Sequence, residues 1–212
     1  FCALSVLICR NRCTVNISPG QHLATAKWRV ATAMRRVTGG RFDFGEFEAE
    51  GYDELIDHPV LMGELAIAEF EVAGVEHAVA LCGRQEADLE RLAADVREIC
   101  AAQIRFFGGR PPLDRYVFLV RVNGEGFGGL EHRASSALVC QRNDLGRQPL
   151  REATREYRQF LALVSHEYFH LWNVKRIQPA EFAQSDLSRE AFTRQLWIFE
   201  GITSYYDDLL LL

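Results

Sequence analysis

Short β-branched runs dominate the first third of the chain: ALSVLI and CTVNI, divided by polar residues, then KWRVATAM after the turn signal SPGQ. Apolar runs of this length bounded by turn residues predict strands. LAIAEFEVAG and EHAVALCG follow around a Gly-containing turn, and the alternation in AEFEV predicts a strand paired with its neighbour. The period then changes. In EADLERLAADVREICAAQIRFF, residues Leu89, Leu92, Ala93, Val96, Ile99 and Cys100 fall at i, i+3, i+4 spacing, which predicts an amphipathic helix. GGRPP ends it. RYVFLVRV is nearly all apolar and predicts a central strand. GEGFGGLEH reads as a Gly-rich turn and SSALVC as a further strand.

From Pro149 the pattern turns helical. REATREYRQFLALVSHEYFHLWNVKR runs 26 residues without Gly or Pro, and IQPAEFAQSD reads as a loop. DLSREAFTRQLWIFEGITSYYDDLLLL predicts a second long helix, capped by Asp186 or Ser188 and broken or tolerated at Gly201. The expected fold class is α+β, strands first and then two long helices that carry the chemistry.

Composition narrows the function classes. With 212 residues, 48% hydrophobic and 25% charged, the chain can bury a sizeable core. A net charge of −5 and no long Lys/Arg run argue against nucleic acid. No apolar run approaches the ~18–20 residues of a membrane span. The six cysteines include no C-x-x-C pair, which predicts reduced, buried thiols rather than a thiolate metal site, and favours the cytoplasm. FCALSVLIC reads as a strand rather than the core of a signal peptide. That apolar opening and the uncapped run SYYDDLLLL predict a piece of a longer protein.

HEYFH, residues 166–170, is the strongest chemical signal. Residues four apart share one helix face, so His166 and His170 can direct two imidazoles at one metal ion. Glu167 beside them can reach a water on that ion and act as general base. A tetrahedral catalytic zinc needs a third protein ligand and leaves one position open. Glu200, in LWIFEGITSYY, lies 30 positions after His170 among the apolar Ile198, Phe199 and Ile202, where a carboxylate needs a partner. Asp207 and Asp208 are weaker candidates. LWNVKR supplies no third histidine, which excludes the metzincin pattern. The aromatic residues Tyr168, Phe169, Trp172, Trp197, Tyr205 and Tyr206 read as core. Lys175 and Arg176 read as a helix C-terminus satisfying the dipole.

GGLEHRASS, FLALVSHEYFHLWNVKRIQP and LWIFEGITSYYDDLL together resemble the glycyl aminopeptidase family of zinc metallopeptidases, and DELIDHPVLMGE and RYVFLV add to the likeness. The resemblance runs from about Trp28 to the end. It implies a thermolysin-like catalytic domain over residues 28–212, preceded in residues 1–27 by the remnant of an N-terminal β-domain. Family members often continue into further helices and a PDZ domain. It implies one zinc ion on His166, His170 and Glu200, with Glu167 as the catalytic glutamate. It also implies a role for GGLEH: Glu131 holds the free α-amine of a peptide, and the glycines, Gly129 among them, let backbone approach it closely. His132 stands where the larger aminopeptidases have Asn. One position departs from the thermolysin pattern. Ser204 stands one turn after Glu200, where a carboxylate often orients a histidine.

These features predict a zinc aminopeptidase that removes small N-terminal residues, Gly or Ala, from peptides. An endopeptidase with the same zinc site, or a catalytically incomplete metal-binding module, stay open as alternatives.

Overall fold

The computed structural model describes residues 3–9, 12–19, 27–183 and 189–211. The fold is mixed α+β with a β-rich N-terminal part. Strands β1 (Ala3–Cys9), β2 (Arg12–Ser18), β4 (Arg35–Arg36) and β5 (Gly45–Ala49) form an antiparallel sheet in the order β1-β2-β5-β4. Alternation in β2 turns Cys13, Val15 and Ile17 inward, and Val15 and Ile17 join Val30, Met34 and Phe47 in a core of their own. Strand β3 (Arg29–Ala31) pairs with β6 (Leu61–Gly63), and the short helix α1 (Tyr52–Ile56) lies between β5 and β6 in the chain. KWRVATAM thus yields a three-residue strand. The SPGQ turn signal and the residue 184–188 stretch with its expected caps fall wholly or partly outside the described residues.

The second sheet positions the site. Its order is β10-β11-β9-β8-β7, built from β7 (Leu65–Val72), β8 (Val75–Cys82), β9 (Arg115–Asn123), β10 (Gly128–Glu131) and β11 (Ser135–Gln141). The β7–β8 hairpin turns through Ala73 and Gly74, both with positive φ, the twist that suits a two-residue connection. Helix α2 (Leu89–Phe106) crosses from β8 to β9, which run parallel. Strand β9 is central, flanked by β8 and β11. Its apolar run has a direct cause: Tyr116, Phe118, Val120 and Val122 face α2 and the following helix, while Val117 and Leu119 pack with Phe42 and Leu65 on the opposite face.

Helix α3 (Arg155–Phe169) starts at Thr154, whose side chain accepts from the Tyr157 N–H. It buries Tyr157, Phe160, Val164 and Tyr168 against the sheet and α2. His77 on β8 ties the two together. Its Nδ1–H donates to Val75 O at 2.9 Å, so its Nε2 accepts from Tyr168 Oη, also at 2.9 Å. Gln103 on α2 adds bonds to the Ser165 carbonyl and hydroxyl. Helix α3 is therefore fixed in rotation as well as position.

Three elements differ from expectation. GGLE is the edge strand β10 rather than a turn, because Gly128–Glu131 finds β11 as an antiparallel partner. Helix α3 ends at Phe169 instead of running to Arg176, and the chain continues in consecutive turns. The expected second long helix is shorter still. Residues 189–196 are not helical apart from Leu196 at the threshold, and Phe192 and Leu196 stay exposed. One π-helical turn (Trp197–Gly201) then leads into α5 (Ile202–Leu209). Without a surface to bury its apolar stripe, a periodic segment gains little from helix formation. The short helix α4 (Ala180–Ala183) occupies part of the expected loop. No described helix is long and apolar enough to cross a membrane.

Candidate functional site

Helix α3 brings the HEYFH residues to one side of the sheet. Glu167 and His170 are buried and His166 is half-buried. The two imidazoles face each other, with His166 Nε2 3.1 Å from His170 Nε2. Their other nitrogens are committed. His166 Nδ1 lies 2.7 Å from Asp207 Oδ2, and His170 Nδ1 lies 2.8 Å from the Asn173 carbonyl. Both partners are acceptors, so each Nδ1 carries the hydrogen and each Nε2 presents a lone pair. Glu200 Oε2 stands 3.5 Å from His166 Nε2 and 3.7 Å from His170 Nε2.

That convergence tests whether a metal fits. Two nitrogen lone pairs and a carboxylate oxygen repel one another unless a cation lies among them. His166, His170 and Glu200 bring their ligand atoms within 4.8 Å of one another. Two imidazoles and a carboxylate are the donors of a catalytic zinc with one open position, and these residues fit that ion. Glu131, Glu167 and His170 also lie within 4.8 Å. This triplet shares His170 and offers a single nitrogen, which makes it the poorer set for zinc.

The π-helical turn explains how Glu200 arrives. Asn173 Nδ2 reaches Ile198 O at 3.2 Å and Thr203 Oγ1 at 3.2 Å, and the Thr203 hydroxyl donates to Phe199 O at 2.5 Å. Side chains thus occupy the carbonyls around the turn, which lets it widen. Asn173 also supplies the carbonyl that orients His170. One residue of LWNVKR therefore sets both a histidine and the Glu200 turn.

Asp207, weighed from the sequence only as a weaker metal ligand, is the partner of a histidine instead. One turn after Glu200 is Ser204, which is exposed. The carboxylate on His166 comes seven positions after Glu200, two turns on. Asp207 lies within the α-helical Ile202–Leu209, and positions seven apart share a helix face, so the partner falls two turns beyond Glu200 rather than one. The helix is anchored there too, since Ser165 Oγ donates to the Asp207 carbonyl at 3.0 Å. Asp207→Asn is expected to weaken zinc binding about 10–100-fold by releasing the His166 ring, read by competition with a chromogenic chelator. Unchanged affinity would remove Asp207 from the site.

Charge shapes the rest. Burial pushes the Glu167 carboxyl up to about 7; His166 pulls against this, and the nearby Glu131 and Glu200 carboxylates reinforce it. Glu167 Oε2 is buried without a hydrogen bond. Burial alone would lower the His166 imidazolium, but the Asp207 hydrogen bond and the surrounding carboxylates hold it above its usual range. Burial lowers His170.

Gly129 lies directly on Glu167. A Cβ added there would fall 2.5 Å from Glu167 Cδ and 2.6 Å from Cγ, so the strand approaches the carboxylate as only glycine allows. Glu131 is two residues further along the same strand. A cleft of about 610 Å³ opens on one side, lined by Phe127, Asp144, His166, Glu167 and Asp207. A second, about 810 Å³, opens beside Glu131, His132, Asp57 and Lys175.

The aromatic and basic residues divide. Tyr168, Phe169 and Trp172 are core, and Tyr206 stacks on Phe169. Trp197 and Tyr205 are 68% and 64% exposed, contrary to the core reading, because each points off the outer side of the short C-terminal helical segment. Arg176 does serve the helix end, donating to Leu171 O at 2.6 Å, whereas Lys175 pairs with Asp57. Cys13, Cys82, Cys100 and Cys140 are free thiols; Cys2 and the Cys9 side chain lie outside the described residues.

No curated protein matches the chain. Among solved structures, an aminopeptidase N family protein from Idiomarina loihiensis superimposes with a TM-score of 0.85 at 41% identity, covering 98% of this chain and 38% of that one. An M1 zinc metallopeptidase from Deinococcus radiodurans shares the fold at TM-score 0.53 and 16% identity, over 87% of this chain and 38% of that one. The chain thus spans well under half the length of these structures. Residues 8–64 match the peptidase M61 N-terminal domain and residues 159–212 the M61 glycyl aminopeptidase model, the latter taking in HEYFH, Glu200 and Asp207. The chain belongs to the M61 glycyl aminopeptidase family of peptidases.

Proposed function

We propose that this protein is a zinc-dependent aminopeptidase with a thermolysin-like catalytic centre, which hydrolyses small N-terminal residues, Gly or Ala, from peptides. The convergence of His166 Nε2, His170 Nε2 and Glu200 Oε2, with both Nδ1 atoms already engaged, carries the reading. The family description supports the preference for glycine.

A zinc ion held by these three residues would polarise the scissile carbonyl and lower the pKa of a coordinated water. Everything else falls to the chain. Glu131 holds the substrate α-ammonium, a fixed anion at the far end of the first residue. Glu167 Oε takes the proton of the attacking water and delivers it to the departing amine nitrogen. Burial keeps that carboxylate poorly solvated, so it is a stronger base than an exposed one. Asp207 and the Asn173 carbonyl hold both imidazoles in the ligating tautomer. The cleft at Phe127 and Asp144 receives the leaving peptide, and the one at His132 receives the N-terminal side chain.

The test compares glycyl- and alanyl-p-nitroanilide with their N-acetylated forms. Hydrolysis of the free-amine substrates only, lost with 1,10-phenanthroline and restored by zinc, is expected. Glu131→Gln should raise KM about 10-fold or more with a smaller change in kcat, as loss of a charge-assisted contact does. Cleavage of blocked peptides at equal rates would replace the exopeptidase reading with an endopeptidase.

A further inference from the structure

The strand that carries Glu131 lies at the edge of its sheet. Strand β10 has four residues, begins on two glycines and, among the described residues, pairs only with β11. An edge strand of this kind opens at low cost. Its carboxylate must nevertheless keep a set distance from His170, and the sheet alone does not supply that.

Asp57, directly after α1, reaches the hairpin from outside. Its Oδ2 accepts from the Arg133 N–H at 2.8 Å, and its Oδ1 accepts from Lys175 Nζ at 3.3 Å. Oδ1 also stands 3.4 Å from His132 Nδ1. His132 and Arg133 follow Glu131 directly, and Lys175 lies five positions after His170. From the opposite side, Arg176 Nη1 donates to the Arg133 carbonyl at 3.3 Å and to Leu171 O at 2.6 Å. Arg133 is thus gripped at its N–H by an anion from the N-terminal region and at its C=O by a cation from behind the zinc-motif helix. The Asp57 side chain is only 18% exposed. Burial opposes its charge, yet His132, the Arg133 N–H and Lys175 together hold the carboxyl down at about 2. None of these bonds involves His166, Glu167, His170 or Glu200.

We propose that Asp57 is a positioning residue, a clasp that locks the Glu131 hairpin to the segment following the zinc-motif helix and so makes amine recognition depend on the N-terminal region. The kinetic part rests on the role of Glu131 given above; the clasp itself does not.

Two measurements on the full chain test it. In hydrogen exchange, Asp57→Ala should speed exchange of the 130–135 amides about 10-fold while α2 and β9 stay protected, the mark of local opening. Unchanged exchange there overturns the clasp, whatever the enzyme cleaves. In kinetics, Asp57→Ala should raise KM for glycyl-p-nitroanilide about 10-fold with kcat within about 2-fold, and add nothing in a Glu131→Gln background. An equal cost in both backgrounds overturns the positioning role. Asp57→Asn, which keeps an acceptor for Arg133 but loses the charge facing Lys175, should show both effects more weakly and serves if the alanine variant does not fold. Failure of the amine reading would show separately, as equal cleavage of blocked substrates by the parent protein.

Discussion

Glu167→Gln is expected to lower kcat/KM by about 10³-fold while leaving the protein at least as stable as the parent. The amide keeps the volume of the carboxylate, so the packing against Gly129 survives. It cannot accept a proton from water, so the chemical step loses its base. Stability should move the other way. Glu167 is buried, its Oε2 has no hydrogen bond, and Glu131 and Glu200 lie near enough to push its pKa to about 7. Removing a charge in that position relieves both desolvation and like-charge repulsion. A thermal melt should therefore give an unchanged or raised Tm. Metal analysis of the same variant separates the two ligand triplets. One zinc per chain retained points to His166, His170 and Glu200; loss of the ion points to the set containing Glu167. Activity within a few-fold of the parent would sink the general-base assignment.

Gly129→Ala should cost about 100-fold in kcat/KM, the scale that a 1 Å displacement of a reacting group can produce. The cause is steric and local. Gly129 does not require a left-handed backbone, and it pairs with Leu138 in the β10–β11 ladder, so alanine is conformationally acceptable. The added methyl would overlap Glu167 Cγ and Cδ. Either the strand lifts, moving Glu131 with it, or the carboxylate swings away from His170. Both outcomes damage the same step. Gly124→Ala is the control, since a Cβ there meets nothing within 4 Å; it should retain parental kinetics. The two variants are measured side by side for kcat, KM and zinc content. Parental activity of Gly129→Ala would show that the close approach of strand to base has no consequence.

Much of the site was legible because its key spacing is local. His166 and His170 share a face through helix periodicity alone, and Glu167 comes with them. Glu200 was reachable by asking which carboxylate sat among apolar neighbours on the next helical segment. Strand β9 declared its central place through an unbroken apolar run, and α2 through its 3.6-residue period. The misreadings share a cause. GGLE has too few side chains to announce a strand, and only its partner β11 makes it one. The 189–196 segment has a helical pattern but remains exposed, so propensity goes unrewarded. Trp197 was assigned to the core by residue type, and type does not say which way a side chain points.

What the sequence by itself determined is the set of candidate groups: a paired-histidine motif with a glutamate beside it, a third carboxylate, and an α+β order of elements. Those follow from repeats of two and 3.6 residues, which the backbone imposes within a few positions. Tertiary structure alone decided which groups orient and confine those candidates. Asp207 reaches His166 across 41 positions, Asp57 reaches Arg133 across 76, and Gly129 on strand β10 lies against Glu167 on helix α3. Contacts of that range depend on how packed layers meet, and local periodicity contains no information about the meeting.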